Sequence, residues 1–502
     1  PARSLWPDHP APTLTDAALT QGRRLPVFPT WLAAGATLAG CLVVGFVALD
    51  ISDAFWSAMV GLAVLATALT IWSVRGPALQ ELALLPVIVL LGLVVAQGVD
   101  RGLVWRAFAD AYAESAEADF PLAVTVLWGL GMALSALAAG RALRPGFGRA
   151  WALAAALIAP TTASALEMTW IPADTIGAYP WALHAILMAA VMVGLATRFA
   201  AVDGADRLRA SVFVLSALAS ITFALVLILS SAALTVALAV TVVAAAALDR
   251  RFALPLMQVF ISVGVVAVGA RLIVDPGLPW ALDEAAIWEI LLAYGGALAA
   301  FVASLYLLRG MARVTAQVML DSAAWSAGGV LASLLLLRAL ENVIGTAAIE
   351  RHWALGLYAV IWLSLSVTQL IRMDQLGGWM KIIRAALAAV FGLVGFGALV
   401  LALTLFNPLL GIFSDPVAGP PLINTLLVAY LLPALVLALG AWKIRTFALR
   451  VTLAVMAGAL AVFWAFAALR HVWQGPIRWR WSSVFCSPSS GATRWCCCWP
   501  VR

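Results

Sequence analysis

NPLLGIFSDPVAGPPLINTLLVAYLLPALVL, residues 407–437, combines the two textures from which the whole chain is made. Its first half is a loop rich in proline and glycine. Its second half is an apolar run, continuing to residue 441, with Asn424 at its mouth and Pro433 at mid-depth. About 20 apolar residues in helical form cross a hydrocarbon core of roughly 30 Å. A barrel strand needs apolar and polar residues to alternate, and this run does not alternate. Backbone polar groups in lipid must be satisfied inside the segment, so the run reads as a transmembrane helix entered from an ordered loop.

Working outward, the same texture recurs. Apolar blocks fall near 32–49, 54–74, 78–97, 122–139, 150–168, 181–200, 210–229, 232–248, 256–273, 285–308, 320–338, 353–371, 385–405, 422–441 and 449–468. Apolar residues make up 64% of the chain and charged residues 11%, with a mean hydropathy of +1.03. A soluble domain of this length would need more charge to cover its surface. The expected fold is all-α, a polytopic transmembrane helix bundle of about 15 spans. No insertion is long enough for a soluble domain, and no repeat period emerges.

Charge sets the orientation. With the N-terminus cytoplasmic, twenty of the thirty basic residues fall on inner segments, among them Arg75, Arg141, Arg209, Arg313 and Lys443. Acidic residues run the other way, sixteen outside against eight inside. A Lys/Arg excess in the short inner loops is the positive-inside pattern. The net charge of +6 therefore implies no nucleic-acid partner; the partner it implies is the lipid bilayer. The loop at 407–421 falls outside on this count.

Both ends differ from the middle. Residues 1–30 are polar and proline-rich, expected to be a cytoplasmic tail, and a start at Pro1 rather than Met places the true beginning upstream. Residues 31–476 form the integral membrane domain. After Gly475-Pro476 the helical texture gives way to 477–502, an aberrant tail with four of the five cysteines. Three adjacent thiols at Cys496–Cys498 lack metal-site spacing, so no metal is expected. A two-base shift turns the codons of Trp495 to Trp499 into Val-Leu-Leu-Leu, which points to a frameshift over the next membrane helix. Cys41, inside the first span, is expected to pack inertly.

Candidate chemistry is sparse. No ionisable side chain falls near the middle of a span, where proton- and ion-coupled pumps usually need one. Asp50 and Asp53 make a tight acidic loop between the first two spans, the kind of place where membrane glycosyltransferases using polyprenyl-linked sugars keep catalytic acids. Glu167, His352 and His471 lie near outer ends of spans, where they suit acid–base work; interfacial side chains of that kind also serve as plain membrane anchors. Pro160 and Pro433 interrupt spans and can free backbone groups for a substrate, although most such kinks only shape packing. Asn424 and Tyr430 border the second of these interruptions. Phosphate loops, Ser/His/Asp patterns and haem motifs are absent, so no cofactor is implied.

Asn407-Pro408, Asn424-Thr425-Leu426-Leu427 with Tyr430, Leu432-Pro433-Ala434, Leu469-Arg470-His471 and Gln474-Gly475-Pro476 resemble, in order and spacing, a bacterial family of predicted multi-pass membrane proteins, domain of unknown function 2339. Its members tend to carry an acidic residue shortly before the Arg-His pair, where this chain has Ala467-Ala468, which counts against catalysis there. They also continue with further helices after the Gly-Pro. The resemblance implies a bacterial inner (cytoplasmic) membrane protein and supplies no activity. The expected role is transport or binding of an envelope-related or lipid-linked substrate, or a periplasmic small molecule, from the outer face. The alternatives are an outer-face glycosyl- or acyl-transferase and a non-catalytic structural or assembly protein; the balance leans away from an enzyme.

Overall fold

The structure is a computed structural model that describes residues 13–15, 18, 28–50, 52–75, 80–113, 120–275, 277–345, 350–373, 377–410, 416–420 and 423–474. Among them there is no strand. The helices are α1 (Phe28–Asp50), α2 (Ser52–Trp72), α3 (Leu84–Val99), α4 (Leu103–Ala111), α5 (Leu122–Ala142), α6 (Gly148–Trp170), α7 (Pro172–Thr175), α8 (Ala178–Asp203) and α9 (Leu208–Ile228). They continue with α10 (Ser231–Phe252), α11 (Met257–Ile273), α12 (Gly277–Asp283), α13 (Ile287–Leu307), α14 (Val314–Ile344), α15 (His352–Met373), α16 (Trp379–Leu403), α17 (Leu427–Lys443) and α18 (Phe447–Gln474).

Each of the fifteen apolar blocks coincides with one helix or one bent pair. Among the described residues, twelve helices are long and apolar enough to cross a membrane. The pairs α3–α4 and α11–α12 are bent by 61° and 42°. The remaining block, 422–441, is the shorter helix α17. Ala and Leu favour helix intrinsically, and a lipid solvent leaves backbone groups no other partner. The chain is an all-helical multi-pass membrane protein.

Packing divides it inside α14 into two compact units, Pro1–Leu331 and Ala332–Arg502. The first unit buries Trp170, Trp181, Phe199 and Phe213 completely. The second buries Tyr430, Leu437 and Leu363.

With no water to expel between helices, close backbone approach at small residues has to supply the attraction. A Cβ added to Gly131 on α5 would lie 2.7 Å from Thr162 on α6. One added to Gly264 on α11 would lie 2.7 Å from Val242 on α10, and one on Gly395 of α16 would lie 2.9 Å from Leu363 on α15. Hydroxyls add cross-links. Ser135 donates to the Ala155 carbonyl between α5 and α6, and Ser366 donates to the Ala388 carbonyl at 2.8 Å between α15 and α16.

The basic residues of the expected inner loops tie helix ends together. Arg141 donates to Ser73 Oγ at 2.8 Å and to the Pro145 carbonyl at 3.1 Å. Arg209 pairs with Asp203. Arg313 grips the fully buried Asp249 through two bonds of 2.8 and 3.0 Å and also donates to the Leu254 carbonyl. That carboxylate, accepting hydrogen bonds from the guanidinium, holds the Arg313 pKa above its ordinary value. Just before α3, Glu81 accepts the backbone N–H of Thr15 at 2.7 Å.

Candidate functional site: two tyrosine-pinned π-turns

Asn407 closes the end of α16, donating from Nδ2 to the Leu403 carbonyl and accepting from the Leu409 N–H, both at 2.9 Å. Asn424 does the same work at the start of α17: its Oδ1 accepts the N–H groups of Leu426 at 3.1 Å and Leu427 at 3.3 Å. A side-chain acceptor at a helix start satisfies donors that have no intrahelical partner. Thr425 ties the loop back on itself, its N–H donating to the Ala418 carbonyl at 3.0 Å and its Oγ1 accepting from the Ala418 N–H at 3.4 Å.

Two expected site residues converge on this loop. His352, fully buried at the start of α15, places Nε2 2.9 Å from Thr425 Oγ1. His471, on α18, lies with Nε2 3.5 Å from the Gly419 carbonyl. One imidazole meets a hydroxyl and the other a carbonyl, an arrangement that holds loop shape.

Beneath the loop, residues Leu427–Leu431 wind as a π-turn before the regular helix from Leu432. Pro433 explains the widening. It has no N–H to give, and its ring would press on the Ala429 carbonyl one α-turn back. The Leu432 N–H reaches back to the Leu427 carbonyl instead. The turn is pinned by Tyr430, whose ring is fully buried against Phe463 at 4.9 Å and whose hydroxyl donates to the Ala402 carbonyl at 2.7 Å. Gly356 on α15 makes room for it: a Cβ there would lie 2.4 Å from Ala429 Cα and 2.6 Å from the Val428 carbonyl oxygen.

The first unit contains the same device. Residues Leu291–Gly295 of α13 form the other π-turn among the described residues. Its tyrosine, Tyr294, is buried at the same place in the turn, one residue after an alanine, and donates to the Leu272 carbonyl at 2.7 Å. Leu272 is the last residue but one of α11, as Ala402 is of α16. A glycine again lets the helices approach: a Cβ on Gly296 would lie 3.3 Å from Val236 on α10. Here Gly295-Gly296, not proline, loosens the turn. Helices α10, α11 and α13 thus repeat internally what α15, α16 and α17 do. The pair Leu291-Leu292-Ala293-Tyr294 and Leu426-Leu427-Val428-Ala429-Tyr430 is the sequence signal of it, and the one-residue offset hides it from a count of periods.

The other expected site residues do not join this cluster. Pro160 lies within α6, which continues through it. The carbonyl it leaves without a helical donor, that of Ala156, accepts from Ser216 Oγ of α9 at 2.7 Å. Glu167, on the last turn of α6, accepts from the Ala173 N–H at 3.4 Å. Asp50 ends α1 and Asp53 lies in the first turn of α2; their side chains, and the whole of residues 475–502 and Asp415, lie outside the described residues. A histidine that the first unit does use is His184, placed between Trp128 and Trp181. It bonds Thr125 at 3.0 Å and the Pro180 carbonyl at 2.9 Å. Because that carbonyl only accepts, Nδ1 carries a proton. Among the described residues no three His, Cys, Asp or Glu side chains gather to hold a metal ion.

These features define a polytopic helical membrane protein with two structurally matched helix interruptions. A family model described as a predicted membrane protein, domain of unknown function 2339, matches residues 41–491, and the chain belongs to that family. No curated protein and no solved structure matches it.

Proposed function

We propose that the protein binds or transports an envelope-related or lipid-linked substrate taken from the outer face of a bacterial inner membrane, with its N-terminus in the cytoplasm. One observation carries the reading: two membrane helices are interrupted at corresponding positions by π-turns, each pinned by a buried tyrosine. π-turns gather at functional sites because the widened turn offers backbone groups that an α-helix keeps to itself. Matched interruptions in repeated halves mark the substrate site in several transporter folds. His352, Asn424, Tyr430 and Pro433 then shape the entrance, and Pro160 belongs to packing.

The test begins with topology. A reporter inserted at Ala418 must lie on the periplasmic side; a cytoplasmic position overturns the outer-face entry. Vesicles holding the purified protein and a fluorescent polyprenyl phosphate then report exchange between leaflets by dithionite quenching. Exchange or retention of the probe above that of empty vesicles, altered in Tyr294→Phe and Tyr430→Phe, supports the reading. Neither exchange nor retention refutes it. The transferase alternative predicts a different pattern: substitution of Asp50, Asp53, Glu167, His352 or His471 abolishes the cellular role at unchanged protein level, while the tyrosine variants retain it.

A further inference from the structure

Helix α13 carries a second feature, which does not rest on the transport reading. Between its π-turn and its C-terminal end it presents an open face with a groove of about 680 Å³. The floor is Gly295, Ala299 and Ala303, each about one helical turn beyond the last, and the wall is Leu298, Val302 and Tyr306. Ala299, Val302, Ala303 and Tyr306 are exposed. At the π-turn end α14 stands alongside, since a Cβ added to Gly295 would lie 3.9 Å from Leu331.

Residues 295 to 307 span about 18 Å at 1.5 Å per residue. Half of a hydrocarbon core of roughly 30 Å is about 15 Å, so the groove has the length of an acyl chain in one leaflet. The Tyr306 hydroxyl, close to the C-terminal end, is the polar side-chain group of a lining that is otherwise hydrocarbon.

That end carries cations in contact with the groove's own residues. Arg309 follows Tyr306 by three residues, and its guanidinium lies over the Tyr306 ring, 5.4 Å from the centroid. Arg250, at the end of α10, donates to the carbonyl of Leu307, which also lines the groove, at 2.8 Å. Both arginines are exposed, as is Arg251. Among the described residues none of the three enters an ion pair, and the neighbouring Asp249 is taken by Arg313. Residues 250–260 and 300–320 contain no acid.

An open groove on a membrane helix suits a second helix or a lipid chain. A second copy packed here about a two-fold axis along the membrane normal would bring its own three arginines against these, with no acid between them. An anionic lipid satisfies both halves of the site, hydrocarbon along the groove and phosphate against the guanidinium groups.

We propose that this groove binds one chain of an anionic phospholipid from the leaflet at the C-terminal end of α13, with Arg250 and Arg309 holding its phosphate. The test uses the full chain in nanodiscs of phosphatidylcholine with a small fraction of phosphatidylglycerol probe. One probe carries a diazirine at the tip of an acyl chain, and a second carries it near the headgroup. After irradiation, adducts are mapped by peptide mass spectrometry. The tip probe is expected to label 295–299 and the headgroup-proximal probe 303–307. Ala299→Phe with Ala303→Phe, which fills the groove, should lower both roughly tenfold while other lipid-facing helices stay unchanged. Since bulky substitutions can upset the fold, Arg250→Gln with Arg309→Gln gives an independent arm. It leaves the groove intact and is expected to abolish the preference for the anionic probe over a phosphatidylcholine analogue. Labelling that ignores the diazirine position, labelling spread evenly over lipid-facing helices, insensitivity to either pair of substitutions, or a second copy covering this face would overturn the proposal.

Discussion

Gly356→Ala is the sharpest test of how the second π-turn is held. The added Cβ would meet Ala429 Cα at 2.4 Å, the Val428 oxygen at 2.6 Å and the Ala429 oxygen at 2.9 Å. All three are backbone atoms, so no rotamer change relieves the contact. Ordinary carbon contacts begin near about 3.5 Å, which requires α15 and the turn to part by about 1 Å. The His352–Thr425 bond, now 2.9 Å, then stretches past hydrogen-bonding range. Overpacking of this kind costs about 1–3 kcal/mol and the lost bond about 0.5–1.5 kcal/mol, so the expected destabilisation is roughly 1.5–4.5 kcal/mol. Gly458 on α18 supplies the control, because nothing lies within 4 Å of its Cβ position. There Gly458→Ala should stabilise the helix by about 0.5–1 kcal/mol. Equilibrium unfolding of purified protein in detergent, followed by circular dichroism, measures both. If the two substitutions shift stability in the same direction and by similar amounts, the close contact between α15 and the π-turn is wrong.

Four further outcomes are expected. Tyr294→Phe and Tyr430→Phe each leave a buried carbonyl without its donor and cost about 1–2 kcal/mol in the same unfolding assay; a loss at one tyrosine alone would break the equivalence of the two turns. Arg313→Ala strips the buried Asp249 of its partner and should cost about 3–5 kcal/mol, against no comparable loss for the exposed Arg149. Ser216→Ala is expected to cost about 1–3 kcal/mol in the native chain but little in a Pro160→Ala background, where Ala156 regains its helical donor; an additive double-mutant cycle would refute that assignment. The carboxyl of Asp206 is held below the ordinary carboxylate range, first by the Leu208 N–H and then by Arg149. A depressed folded-state value adds stability above the ordinary pKa of about 4 and loses it as pH falls through the lower value. Asp206→Asn should therefore differ from the native chain near neutral pH and converge with it in acid, as thermal melts across pH will show.

Spans were legible because crossing a hydrocarbon core is a requirement on length and polarity, and both are local. The block at 422–441 could be read from its own residues, and the block at 78–97 likewise, even though α3 turns into α4 at its end. Partner choice was not local. Gly264 and Gly395 look like any other helix glycine until Val242 and Leu363 arrive against them. His352 stands out for its imidazole, but nothing local links it to Thr425, which lies 73 residues away and reads only as part of the family pattern. Tyr430 stands out beside Pro433, whereas Tyr294, doing the same work, is hidden because Gly295-Gly296 does not announce a broken helix as proline does. A charge count sees Arg141, Arg209 and Arg313 only as orientation signals; their bonds to Ser73, Asp203 and Asp249 add a packing role it cannot see.

The link between Pro160 and Ser216 also sets a schedule for biogenesis. The Ala156 carbonyl enters the membrane with α6, but the hydroxyl that satisfies it is sixty residues further along the chain. At a synthesis rate of about 5–20 residues per second, that carbonyl waits roughly 3–12 s for α9. An unsatisfied carbonyl in hydrocarbon costs several kcal/mol until a partner arrives. Helix α6 therefore gains its full reason to stay in the bilayer only when α9 follows, and the order of translation becomes part of how this bundle assembles.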